Sequence, residues 1–93
     1  MEQKDLLMKE APNFGIECIF GVSGLTLSWN GETQCLNLIL NSDDLVAALA
    51  EGVRGFKTNY VFYPPNASAV RRAEADAAYD AFSKLLAAVK SSA

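Results

Sequence analysis

Residues 21–34, Gly-Val-Ser-Gly-Leu-Thr-Leu-Ser-Trp-Asn-Gly-Glu-Thr-Gln, hold two glycine-bearing reversal signals around one alternating ribbon. Leu25, Leu27 and Trp29 fall on one side of an extended chain, Thr26 and Ser28 on the other. Asn30-Gly31 is the strongest two-residue hairpin signal, because a type I′ turn needs positive φ at both central positions. Ser23-Gly24 is a weaker signal of the same kind. The segments Phe14 to Val22 and Thr33 to Asn41 alternate in the same way. A two-residue loop at 30–31 pairs Trp29 with Glu32, Leu27 with Gln34 and Leu25 with Leu36. One at 23–24 pairs Val22 with Leu25, Phe20 with Leu27 and Cys18 with Trp29. Directly opposed residues share a face. Both turns thus gather Phe14, Ile16, Cys18, Phe20, Val22, Leu25, Leu27, Trp29, Leu36, Leu38 and Leu40 on one side. The expectation is a three-stranded antiparallel β-meander. Cys18 and Cys35 then face opposite sides and cannot form a disulfide.

Helical signals flank this ribbon. Residues 2–10 suit a short helix ended near Pro12, although Leu6, Leu7 and Met8 are contiguous rather than periodic. Asn41-Ser42-Asp43-Asp44 opens a second helix, with Asn41 or Ser42 as cap and acids in the first turn. Leu45, Val46, Leu49 and Val53 form its stripe, and Gly52 or Gly55 ends it. Asn66 or Ser68 caps a long helix reaching about Lys90, roughly 35 Å at 1.5 Å per residue. Asn59 to Tyr63 is expected as a short fourth strand, or else an aromatic loop, stopped by Pro64-Pro65. Ninety-three residues make one domain spanning 1–93. The fold class is α+β, with the meander covered on one face by helices near 43–53 and 67–90.

The composition narrows function mainly by exclusion. The chain has no histidine and two cysteines. That removes the commonest general base, the usual partner of a serine or cysteine nucleophile, and any zinc site of ordinary ligand count. No catalytic residue, metal site or cofactor is expected. The net charge is −3, and the eight Lys and Arg are scattered rather than striped. This argues against a nucleic-acid backbone binder. Arg54-Gly55-Phe56-Lys57 with Tyr60, Phe62 and Tyr63 mixes cations and aromatics, but two cations on an acidic chain make a weak single-strand site. No apolar run approaches eighteen residues, so no membrane span is expected. The N-terminal residues lack the apolar core of a signal peptide, which predicts a cytoplasmic location and makes the sequon Asn66-Ala67-Ser68 incidental.

Three surfaces remain as candidates. On the long helix the apolar residues spread over about half the circumference, wider than one sheet face covers. Tyr79, Leu86 and part of Phe82 are therefore expected to stay exposed until a partner covers them. On the sheet's second face Ile19, Cys35 and Ile39 could centre a flat binding surface, the alternative being a solvated polar face. Arg71 and Arg72 near the start of the long helix form an anion-site candidate. The alternative there is local pairing with Glu74 and Asp76.

The order helix, meander, helix resembles double-stranded-RNA-binding domains in outline. It departs from them where a lysine-rich helix start belongs, offering Ala69-Val70-Arg71-Arg72-Ala73-Glu74. The order, size and acidity also look like those of bacterial secretion chaperones, without a supporting motif. Fold analogy assigns no function, and neither family is claimed. The expected function is a non-enzymatic, acidic protein-binding module, an inhibitor or adaptor of the phage or mobile-element kind that occludes a partner's surface. A homodimer is one form of it. The alternatives are a small anionic-ligand binder for nucleotide or phosphate, and an acidic homodimeric chaperone.

Overall fold

The computed structural model describes residues 3–21, 24–29, 34–39, 44–56, 58 and 64–92, with backbone alone for 34–39 and 92. The chain is α+β, built from helices and an antiparallel sheet. Helix α1 spans Gln3–Glu10 and runs into a 3₁₀ turn at Ala11–Phe14. Strands β1 (Ile16–Phe20) and β2 (Gly24–Trp29) pair antiparallel. Gln34–Ile39 forms β3 along the other side of β2. Helices α2 (Leu45–Phe56) and α3 (Ala69–Ser92) complete the order. The expected strand at Asn59 to Tyr63 and the expected turn residues Ser23, Asn30 and Gly31 lie outside the described residues, while Gly24 is the first residue of β2.

The ladder corrects the expected register. Phe20 faces Leu25, Cys18 faces Leu27 and Ile16 faces Trp29. Leu25 faces Leu38, Leu27 faces Leu36 and Trp29 faces Gln34. Each pairing is displaced by two residues from that expected of loops at 23–24 and 30–31. Gly21 N–H donates to the Gly24 carbonyl at 2.8 Å, so Gly21 and Gly24 close the first hairpin. Four residues, 30–33, separate the paired Trp29 and Gln34. A shift of two preserves side-chain parity. The faces therefore survive: Ile16, Leu25 and Leu27 are buried, and Cys18, Phe20 and Trp29 pack half-buried against the same core.

The first strand also begins later than its alternation suggests. Gly15 takes φ 72°, a left-handed conformation that L side chains rarely adopt, and its N–H donates to Pro12 C=O at 3.2 Å. This closes the 3₁₀ turn and turns the chain into β1, leaving Phe14 in the turn but still against the core.

Helix capping departs from expectation at both ends of α2. Ser68 caps α3, its Oγ accepting from Arg71 N–H at 3.1 Å. Helix α2 is capped by Asp44, whose Oδ1 accepts from Ala47 N–H at 3.1 Å. Asn41 and Ser42, the expected caps, lie outside the described residues. Gln3 of α1 supplies the rest of that cap. Its Oε1 accepts from Leu45 N–H at 2.5 Å and Val46 N–H at 3.4 Å, and its Nε2 donates to Asp44 Oδ1 at 3.1 Å. Side chains thus satisfy the N–H groups of Leu45 and Ala47 in the first turn of α2, with a longer contact at Val46. Neither glycine ends α2: Gly52 and Gly55 lie inside it, and it runs to Phe56.

One core joins the layers. Helix α1 contacts β1, α2 contacts β3, and α3 contacts α1, α2 and the 3₁₀ turn. Ala75, Ala78, Phe82, Leu85 and Val89 are all fully buried on α3, at the alternating spacing of three and four that marks a helix packed on helices. Buried Ala75 and Ala78 suit a close approach of neighbouring helices. Phe56 meets Phe82 edge-on at 5.7 Å and Tyr79 at 6.2 Å between ring centroids. Each large side chain buried this way contributes about 1.5–3 kcal/mol.

Candidate protein-interaction surface

Helix α1 descends beside β1 in the opposite direction. Lys4 Nζ lies 4.6 Å from the centre of the Phe20 ring. One turn on, the Leu7 carbonyl accepts a weak hydrogen bond from Cys18 Sγ at 3.8 Å. Further down, Met8, Ala11 and Pro12 face Ile16, Glu17 and Cys18 across an open groove of about 370 Å³. Met8 is 50% exposed although both its preceding leucines are buried. Ile19, on the sheet's second face, is 44% exposed. Exposed apolar side chains therefore stand on both sides of β1.

Cys18 is free and brings no reactivity at neutral pH. Burial pushes its thiol up to about 11, and the neighbouring Glu17 carboxylate adds to the effect. A neutral thiol is neither nucleophile nor metal ligand. No cluster of three metal-ligating side chains occurs among the described residues.

The candidates on α3 fare differently. Phe82, expected to be partly exposed, is fully buried. Tyr79 and Leu86 are half-buried and pack against the core. The broad apolar arc of α3 is absorbed because α1, α2 and the 3₁₀ turn all lie against it. Its exposed large apolar residue is Val70, at the first turn. Arg71 and Arg72 are both exposed there, and Arg72 donates to the Pro65 carbonyl at 3.5 Å. The two arginines are not drawn into a cleft.

On the second sheet face Ile19 stands in the row of Thr26 and Asn37, while Cys35 shares the row of Ser28. A two-residue loop at 30–31 would instead set Cys35 across from Thr26. Ile19 is two strands, about 10 Å, from the strand that carries Cys35 and Ile39. The side chains of Cys35 and Ile39 lie outside the described residues. Ser28 on this face is 2% exposed, so the face is not uniformly open. A second depression, lined by Asn13, Phe14, Trp29, Ala77, Asp80, Ala81 and Lys84, lies where α3 passes the end of β2. Its charged rim is self-paired, Lys84 Nζ to Asp80 Oδ2 at 3.0 Å, with both groups mostly in water.

No helix among the described residues is long and apolar enough to cross a membrane. Comparison with family models, with curated proteins and with solved structures finds no match.

The sequence named Ile19 but missed Met8 and the groove. Met8 sat in a contiguous apolar triplet, where periodicity could not tell which member would stay outside. Its contact with β1 depends on where α1 docks, which local pattern does not encode.

Proposed function

We propose that this chain is a non-enzymatic protein-binding module that acts by covering part of a partner's surface. The observation that carries the reading is the pair of exposed apolar side chains, Met8 and Ile19, flanking β1. Monomeric proteins scatter single exposed apolar residues freely, but two beside one strand and its groove favour a contact surface. The reading takes the sheet as a three-stranded meander with all helices on one face, which leaves β1 at an edge. The net charge of −3 favours a basic partner by steering.

The test compares the native chain with a Met8→Asp/Ile19→Asp variant as immobilised bait in a lysate of the native host. A captured protein is then purified and its affinity for both baits measured. The reading expects at least one partner that binds the native chain and weakens tenfold or more against the variant. Capture of the same proteins by both baits at equal affinity would refute it. Amide spectra of the variant establish that it is folded.

A further inference from the structure

Among the described residues strand β1 has β2 as its one neighbour in the sheet. The bond from Gly21 N–H to the Gly24 carbonyl marks that pair as the hydrogen-bonded kind. The two kinds of antiparallel pair alternate along a ladder. Ile19 with Thr26 and Glu17 with Ser28 are then hydrogen-bonded pairs. The N–H and C=O groups of Ile16, Cys18 and Phe20 turn away from β2. Among the described residues no backbone hydrogen bond joins them to another element. Natural edges are usually blunted by lysine, proline or a bulge. Ile-Glu-Cys-Ile-Phe has one charge, Glu17, and neither lysine nor proline.

This edge borders the groove. Its far wall is α1 and the 3₁₀ turn, with Met8, Ala11 and Pro12 opposite Ile16 and Cys18. We infer that the groove between β1 and α1 is a strand-addition site for an extended peptide segment of a partner protein. The inference rests on the protein-binding reading above and names its mode. A row of backbone donors and acceptors repeating every second residue is matched by another extended backbone, not by a compact small molecule. Alternate side chains of the peptide take opposite faces. One set meets Met8, Pro12 and the open side of Cys18 and is apolar; the flexible thioether of Met8 adapts to its shape. The other set lies beside Glu17 and Ile19, where a lysine or arginine opposite Glu17 and a β-branched neighbour of Ile19 are the complementary choices. A second copy of this acidic chain lacks that charge complementarity.

Two measurements test the site on the full chain. In the free protein, amide exchange at Cys18 and Phe20 is expected to be at least tenfold faster than at Glu17 and Ile19. Equal protection at all four would mean that the edge is already covered, and would overturn the inference. A display library of random decapeptides is then panned on the folded chain. Enriched peptides should alternate apolar with polar or basic residues. They should protect Cys18 and Phe20 on binding, lose at least tenfold in affinity when backbone amides of one parity are N-methylated, and lose as much against Met8→Asp. No enriched peptide, or binding indifferent to N-methylation, overturns the site. Binders lost in Ile19→Asp but untouched by Met8→Asp also overturn the groove, while leaving the protein-binding reading intact. A dimer in native mass measurement that Met8→Asp dissolves would assign the groove to a second copy, against the partner peptide.

Discussion

Replacing Gln3 by alanine removes a cap that reaches across 42 residues of sequence to Leu45. The side chain accepts from Leu45 N–H at 2.5 Å, accepts from Val46 N–H at 3.4 Å and donates to Asp44 at 3.1 Å. The 3.4 Å contact is too long to count for much. The Leu45 bond is partly buried, and losing it leaves a donor unpaired. Loss of such a cap costs about 1–2 kcal/mol. For a domain of this size that lowers Tm by roughly 4–8 °C per kcal/mol. In urea the midpoint falls by about 0.5–1 M if the slope is near 2 kcal/mol per M. Trp29, the single tryptophan, is half-buried and reports the transition by fluorescence. The pH dependence sharpens the test. Asp44 is held below the usual carboxylate range, first by Ala47 N–H and then by the Gln3 amide. A depressed folded pKa contributes stability above the unfolded value and loses it as pH falls through the folded one. The gap between native chain and Gln3→Ala should therefore narrow as the pH drops below about 4 and Asp44 protonates. An unchanged midpoint at pH 7, or a gap that widens as Asp44 protonates, would refute the capping argument.

Phe82→Ala should cost about 3–5 kcal/mol and leave the chain close to unfolded at 25 °C, because Phe82 is fully buried against Phe56; a loss under 1 kcal/mol in urea melts would contradict its core position. Gly15→Ala should destabilise by about 1 kcal/mol, since φ 72° strains any side chain; no change in the melting midpoint would show that the turn relaxes freely. In a Cys35→Ser background, thiolate absorbance should rise with a midpoint near pH 11 for Cys18. A raised pKa means that this thiol favours the fold below its unfolded value, about 8.5, and withdraws that support as pH climbs toward 11; titration near 8.5 in the folded chain would contradict its burial.

The sheet faces were legible because side-chain period is two, and the actual reversals moved each register by two residues. The registers themselves were not legible. Turn chemistry weighed Asn30-Gly31 and Ser23-Gly24, whereas the ladder closes on Gly21 and Gly24 and leaves four residues between Trp29 and Gln34. The cap on α3 and the stripe of α2 follow local rules and were readable; the Gln3 cap is tertiary and was not. Phe82 was misjudged because the arc was measured against one sheet face, while α3 packs on three other elements.

The groove follows from how α1 divides its apolar triplet. Leu6 and Leu7 go fully into the core, and the Leu7 carbonyl comes within reach of Cys18. Two consecutive buried leucines point about 100° apart, so Met8, a further 100° round, must turn outward. Below it the wall continues with Ala11 and Pro12, neither of which projects a long side chain toward Ile16. Protein interiors elsewhere close such space to organic-crystal density. A larger residue along this wall would cover more of the half-buried Cys18 and stabilise the chain. The open alternative leaves a strand edge that is unpaired among the described residues beside an apolar groove, a combination that raises aggregation risk. An open groove under an exposed methionine, beside a strand edge unpaired among the described residues, is hard to account for by stability alone, and strand addition accounts for both.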